Sequence, residues 1–266
     1  MAALTVGLNH TRVIAGSVLE ARYRFAVAPD ARFREDYRVF VHVIDSDGEP
    51  VWEDDHDPPI PTTAWKAGQV IEYERADFVP LFSYVGDATL QVGLHSTKDE
   101  HRLPLQADHV GHRAYRVALL QLLPQTESPL TVFRDGWHPA EASASPDGMA
   151  WRWTQRQSRL AFRNPRADSL LYMDLDSPTA ALHQAQDVQL SMGGQVLDEF
   201  SLLPDKRTLR KVKLPSAQMG REDMAELQIV VDPTFVPAFA SAWASDDARE
   251  LGVRVFHAFV DAQPSH

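Results

Sequence analysis

The sequence predicts an all-β protein made of two antiparallel β-sandwich domains in tandem, the first Ig-like and the second jelly-roll-like. Short runs rich in β-branched and aromatic residues recur along the chain, turn-forming residues separate them, and few segments show helical periodicity. With 266 residues, the chain is long enough for two domains that each bury a core. Hydrophobic residues at 44% and charged residues at 24% are typical of folded globular proteins.

Five segments of the first domain, which we expect over residues 1–125, have the composition of strands: 18–27, 37–44, 70–78, 88–94 and 115–122. Between the apolar run 39–44 and Val51-Trp52 lie Asp45, Ser46, Asp47 and Gly48. Such residues form tight turns, so this segment predicts a hairpin of antiparallel neighbours.

A stretch of proline and polar residues at 124–129 predicts the domain boundary. The second domain, expected over 130–266, shows seven further strand-like segments: 158–162, 169–175, 187–192, 196–202, 210–214, 225–231 and 251–260. Gly193-Gly194 can supply the positive φ angles of a hairpin between two of them. Segments 178–186 and 216–224 are predicted to hold a helical turn or two.

The charge of the chain excludes one class of partner. A formal net charge of -11 and no dense run of lysine or arginine predict no binding to nucleic acid, because the phosphate backbone would be repelled. The absence of cysteine removes disulfides and thiolate chemistry. The first ten residues lack the basic and apolar regions of a signal peptide, and no apolar run approaches the roughly 20 residues of a membrane-spanning helix.

The densest group of oxygen ligands is the acidic segment 53–57 with the hairpin residues before it. Asp45, Asp47, Asp54 and Asp55 are the candidate calcium ligands. The alternative is a solvated hairpin end, because alternate residues of a strand point to opposite faces. We expect no metal here.

Histidines form a second group of candidate ligands. His101, His109 and His112 with Asp108 could bind zinc, although a polar turn that leads into a strand explains them more simply. His42 lies within an apolar run and is expected to be a buried, hydrogen-bonded core residue.

No catalytic motif stands out. The chain has no Gly-x-Ser-x-Gly elbow, no dinucleotide-binding glycine fingerprint and no phosphate-binding loop. Carboxylate pairs for glycoside hydrolysis cannot be recognised from abundance alone. The sequence therefore predicts neither enzyme activity nor a cofactor.

Aromatic residues of the second domain are the candidate contacts for a partner or glycan. Trp151 and Trp153 would share one face of a strand, and Arg152 would point away from it. If exposed, such a face stacks on sugars or anchors a protein, whereas burial makes it core, which is the more frequent outcome for large aromatic residues. The further candidate contacts are Trp137, Phe235, Phe239 and Trp243.

Several motifs carry a family resemblance. They are VFVHV at 39–43, DG at 47–48, DDH at 54–56, PTTAWKAG at 61–68, VGL at 92–94, RLPL at 102–105, GWHP at 136–139, WRWT at 151–154 and DDARELGV at 246–253. In this order they resemble the extracytoplasmic β-sandwich and jelly-roll domains that accompany bacterial polytopic glycosyltransferases of the dolichyl-phosphate-mannose mannosyltransferase type. The membrane catalytic part of those enzymes has no counterpart in this sequence. The resemblance thus implies accessory domains without transferase activity, in the periplasm or at the extracytoplasmic membrane face, with the cytoplasm as the alternative.

Two functions from different classes follow. The first is a non-catalytic scaffolding subunit that docks on a larger, membrane-associated bacterial protein assembly. The alternative is a carbohydrate-binding module accessory to glycan synthesis or transfer. A contiguous exposed apolar patch would favour docking, whereas a shallow groove with aromatic platforms and convergent polar groups would favour a glycan.

Overall fold

The computed structural model describes residues 2–99, 101–125, 131–143, 149–178, 182–240 and 245–262. The chain divides into two compact units, Met1–Gln125 (unit 1) and Thr126–His266 (unit 2). Within the described ranges the regular elements are β-strands and three short 3-10 turns. The prediction of an all-β fold with sandwiched sheets is confirmed, and no helix in these ranges could cross a membrane.

Unit 1 contains ten strands in its described residues: β1 (Ala2–Leu8), β2 (Arg12–Ile14), β3 (Val18–Val27), β4 (Tyr37–Asp45), β5 (Pro50–Glu53), β6 (Val70–Phe78), β7 (Gly86–Ser96), β8 (Leu105–Gln106), β9 (Asp108–Gly111) and β10 (Ala114–Leu123). A 3-10 turn at Thr62–Ala64 precedes β6. One sheet has the order β6-β3-β1-β8, and the other has the order β2-β10-β7-β4-β5 with β9 also paired to β10. Two pairs, β1–β8 and β2–β10, are parallel rather than antiparallel.

The period-2 alternation of side chains places the core of unit 1 between these sheets. On β4, Val39, Val41 and Val43 belong to the core. His42 points to the opposite face of the same strand, with 19% of its side chain exposed beside Asp55. The prediction that His42 faces the core is therefore wrong, because alternation within the apolar run places it on the outer face.

Unit 2 also contains ten strands in its described residues: β11 (Thr131–Phe133), β12 (Glu141–Ala142), β13 (Ala150–Trp153), β14 (Gln157–Arg163), β15 (Ser169–Asp176), β16 (Gln186–Met192), β17 (Gln195–Leu202), β18 (Thr208–Leu214), β19 (Met224–Asp232) and β20 (Arg254–Ala262). One sheet runs β11-β14-β19-β16-β17, and the other runs β12-β13-β20-β15-β18. Every strand pair in the described part of unit 2 is antiparallel.

The core of unit 2 consists mainly of aliphatic and methionine side chains that alternate inward on these strands, among them Leu160, Leu171, Leu190 and Leu227, and it also contains Phe162. Gly193 and Gly194 form the β16–β17 turn with φ of 56° and 79°, as their sequence predicted.

Of the two segments predicted to hold a helical turn or two, one contains a short 3-10 turn and the other shows no helix in its described residues. Residues 182–186 contain no helix, and 179–181 lie outside the described residues. Of the segment 216–224, only Ser216–Gln218 forms a 3-10 turn, and β19 begins at Met224. A third 3-10 turn spans Pro237–Phe239. The helix propensities of these short segments are overridden by the strands that they connect.

Candidate ligand-binding face

The acidic candidates of unit 1 take separate partners. Asp45 accepts hydrogen bonds from the backbone N–H groups of Asp47 and Glu49 and so closes the hairpin turn. Asp54 contacts Arg75 at 3.1 Å, whereas Asp55 accepts the Val41 N–H on the other face of the chain. Within the described residues, no group of three or more histidine and acidic side chains is arranged to hold a metal.

Asp54 nevertheless has an unusual environment. Burial and the neighbouring carboxylate of Asp77 raise its pKa to about 7, although Arg75 opposes this shift. His56, 4% exposed, contacts the Tyr73 hydroxyl at 2.9 Å through Nε2. Burial and the charge of Arg75 lower its pKa to about 4. This polar cluster, which the sequence did not reveal, combines a carboxyl group whose pKa lies near neutral pH with an imidazole that is neutral there.

The histidines considered as zinc ligands interact with arginines instead. The Arg113 guanidinium contacts His101 Nε2 at 3.0 Å, and the Arg113 backbone N–H donates to His109 Nε2 at 3.3 Å. Asp108 pairs with Arg116. The structure therefore supports no zinc site at these residues.

The tryptophans of β13 are largely enclosed by their own unit. Trp153 is 3% exposed and packs edge-to-face on Phe235 at 5.8 Å. Trp151 is partly buried, and the Arg254 guanidinium lies 5.3 Å from its ring centroid. Arg152 points to the opposite face and lies over the Phe133 ring, as the strand alternation predicted.

The remaining aromatic candidates are dispersed. Trp137 packs edge-to-face on Phe133 at 4.7 Å, and its indole N–H donates to the Arg159 carbonyl. Phe239 is 87% exposed, and Trp243 lies outside the described residues. Trp137 and Phe239, the described members of this group, lie on separate segments, and the role of all three residues as contacts stays a prediction.

A different surface of unit 2 brings hydrogen-bonding side chains together. It is the outer face of β14, β19, β16 and β17, here called the polar face. Its register aligns three rows of side chains across neighbouring strands: Gln157, Val230, Gln189 and Glu199; Arg159, Gln228 and Ser191; Asp232, Asp187 and Ser201. The alternate residues Leu160, Leu190 and Ile229 lie in the core, which fixes the orientation of the rows.

Two adjoining grooves run over the polar face. One has a volume of about 500 Å³ and is lined by Gln157, Arg159, Ser191, Gln228 and the Gly193-Gly194 turn. The other, of about 470 Å³, is lined by Asp187, Gln189, Glu199 and Asp232. Both volumes fall in the range of small-ligand sites.

Some side chains of the polar face have hydrogen-bond or ion-pair partners within the part of the chain that the structure describes, and others have none there. Arg159 lies between Asp135 at 3.3 Å and Glu226 at 3.7 Å, and Gln189 donates to Glu199. By contrast, the side chains of Gln157, Gln228 and Ser191 make no hydrogen bond with the rest of the described chain. The first groove therefore presents two amides and one hydroxyl that are available to a ligand.

A glycine shapes the edge of this groove. At Gly136 φ is 79°, and a Cβ atom there would lie 1.9 Å from the Gln157 carbonyl oxygen. Only glycine permits this approach, which places the adjacent Asp135 beside Arg159. Sequence reasoning missed the polar face because its residues come from four strands whose register is not visible locally.

Comparison with known proteins gives the chain no family. No protein family matches the sequence, and no curated protein matches it. Among solved structures, the tandem CBM22 domains of Paenibacillus barcinonensis Xyn10C share 9% identity over 99% of this chain and 93% of that chain, with a TM-score of 0.31. The CBM6 of the laminarinase LamC from Zobellia galactanivorans shares 9% identity over 50% of this chain and 99% of that chain, with a TM-score of 0.28.

These structural neighbours are carbohydrate-binding modules, but such low scores and identities assign neither a function nor a binding site. They give no support to the specific link with membrane glycosyltransferases, which stays a prediction from the sequence motifs. The function is therefore inferred from the residues of this chain alone.

Proposed function

We propose that the protein is a non-catalytic glycan-binding protein and that the polar face of unit 2 holds the glycan. The observation that carries this proposal is the groove that Gln157, Gln228 and Ser191 line together, with no hydrogen-bond partner for their side chains in the described chain. An amide donates and accepts hydrogen bonds, and a hydroxyl does both. This combination matches the hydroxyl groups of a sugar, each of which is also a donor and an acceptor.

The sheet supplies the preorganisation that weak polar contacts require. Neighbouring strands lie about 4.8 Å apart, and residues two apart on one strand lie about 7 Å apart. The backbone therefore holds the attachment points of these side chains in a fixed grid, and no backbone entropy is lost when a ligand binds. Val230, partly exposed in the middle of the grid, offers a small apolar contact for the C–H groups of a sugar.

Within unit 2, the character of the surface favours a glycan over protein docking, which reverses the order of the two sequence-based hypotheses for this unit. In the described part of unit 2, the large apolar side chains that stand exposed are Val196, Leu203 and Phe239. They lie on three separate segments: β17, the loop after it and the turn at Pro237–Phe239. Docking surfaces are usually contiguous apolar patches, whereas the first groove is lined mainly by polar atoms.

The test is a glycan array with the full chain, followed by calorimetric titration of the best oligosaccharide. Gln157→Ala and Gln228→Ala should each weaken binding several-fold, because a lost hydrogen bond is worth about 1 kcal/mol. Gln121→Ala, at an exposed glutamine of unit 1, is the matched control and should bind as the wild type does. A silent array, or binding that both groove variants leave unchanged, would refute the proposal.

A further inference from the structure

The hairpin between β9 and β10 has a backbone that its residues do not favour. Gly111 and Ala114 pair across it, so His112 and Arg113 form a two-residue turn with φ of 45° and 55°. Such turns prefer Asn-Gly, because a side chain strains a left-handed backbone. Strain of this kind is concentrated at functional sites, so the side chains that this turn holds in place are candidates for a function.

The turn interlocks two guanidinium groups. Arg113 donates through Nη1 to the Arg102 carbonyl and contacts His101 Nε2 at 3.0 Å. Arg102 donates through Nη1 to the His112 carbonyl at 3.3 Å. Each guanidinium is thus hydrogen-bonded to the backbone of the segment that carries the other arginine. Both side chains are partly buried.

Beneath Arg102 lies an aromatic floor. The Arg102 Cζ atom is 4.3 Å from the centroid of the Phe40 ring, which is only 2% exposed although it faces outward from β4. The Phe40 ring fits because its neighbour on β7 is Gly93, where a Cβ atom would lie 2.4 Å from the ring. The cation–π contact holds the guanidinium flat and leaves its edge free for a ligand.

Neither guanidinium is neutralised by a carboxylate of the described chain. The nearby Asp108 pairs with Arg116, and Asp55 lies between His42 and His95 at 3.5 and 3.7 Å. A guanidinium carries five N–H donors, of which the contacts above occupy one nitrogen on each arginine. The other donors are available for a bidentate partner.

We propose that Arg102 and Arg113 form an oxyanion-binding site for a ligand that carries a phosphate, sulfate or carboxylate group. The edge of a guanidinium matches the geometry of such groups, and its contacts with them are stronger than neutral hydrogen bonds. The site lies in unit 1 and is independent of the glycan-binding groove of unit 2. A net charge of -11 gives no long-range attraction for anions, so specific binding at this site would depend on local geometry.

The experiment titrates inorganic phosphate, sulfate and galacturonic acid separately into the full chain at constant ionic strength in chloride. Arg102→Gln removes one guanidinium. Arg113→Gly removes the other and gives the turn a residue that favours positive φ, so its Tm should not fall. Arg34→Gln, at an exposed arginine of unit 1, is the control for a general change of charge.

We expect saturable binding of at least one anion to the wild type and to Arg34→Gln, and at least tenfold weaker binding to Arg102→Gln and to Arg113→Gly. The anion whose binding saturates shows whether the site accepts a phosphate, a sulfate or a carboxylate group. The proposal is overturned if none of the three saturates, if the two site variants bind like the wild type, or if Arg34→Gln loses binding equally.

Discussion

The raised pKa of the Asp54 carboxyl group makes the stability of unit 1 dependent on pH. Its pKa is about 7 in the fold and 3.8 as a free side chain. A raised carboxyl pKa means that the folded state retains a proton which the unfolded chain releases. The resulting cost is absent below pH 4, grows as the pH rises towards 7 and is complete above it.

Asp54→Asn removes this cost while it keeps the size of the side chain. We expect its free energy of unfolding at pH 8 to exceed that of the wild type by about 2 kcal/mol, with a smaller gain at pH 5. Urea unfolding at the two pH values measures both. Asp47→Asn, in the exposed hairpin turn, should change little. A less stable Asp54→Asn at pH 8 would mean that the ion pair with Arg75 outweighs burial.

The burial and the partners of single residues were harder to predict from the sequence than the strands. His42 is surrounded by apolar residues in sequence but lies outside, and His56 sits in an acidic segment but is buried beneath Tyr73. The sequence shows chain neighbours, whereas burial depends on the facing strand. The polar face was missed for the same reason, since Gln157 and Gln228 are 71 positions apart in the chain and meet only through strand register.

At the scale of elements, the turn that contains Gly136 supports the edge of the first groove. Gly136→Ala should lower the free energy of unfolding by about 3 kcal/mol, because it combines strain at positive φ with a collision against the Gln157 carbonyl. It should also weaken glycan binding. Thermal unfolding and titration of the same samples measure both effects.

Gly7→Ala is the matched control, because a Cβ atom added at Gly7 would meet no other atom within 4 Å and the φ angle of this residue is negative. Its stability should equal or exceed that of the wild type. If Gly136→Ala proved equally harmless, the close approach of the two chain segments would not be required for the fold.

Strands were predicted well where their own composition determines them. The segments 18–27 and 70–78 match β3 and β6 at both ends. The short strands β2, β8, β9, β11 and β12 were missed, because each has two to four residues and is ordered by its partner rather than by its own propensity. The segment 251–260 was placed too early, since β20 begins at Arg254.

At the scale of the whole molecule, each unit encloses its own hydrophobic core. The polar face belongs entirely to unit 2 and the arginine pair entirely to unit 1. A fragment of residues 126–266 should therefore retain the glycan affinity of the full chain, and a fragment of residues 1–125 should retain the oxyanion affinity. Titration of both fragments against both ligand classes measures this separation. Loss of glycan binding by a folded 126–266 fragment would contradict it.

The parallel pairing of β2 with β10 also affects how unit 1 folds during its synthesis. Residues Arg12–Ile14 meet their partners only at Gln121–Leu123, about 110 positions later. A ribosome adds about 5–20 residues per second, so the first strands wait several seconds before the sheet that they complete exists. During that interval the apolar residue Val13, fully buried in the finished fold, has no partner. Nascent unit 1 therefore exposes part of its future core until almost all of its residues have been made.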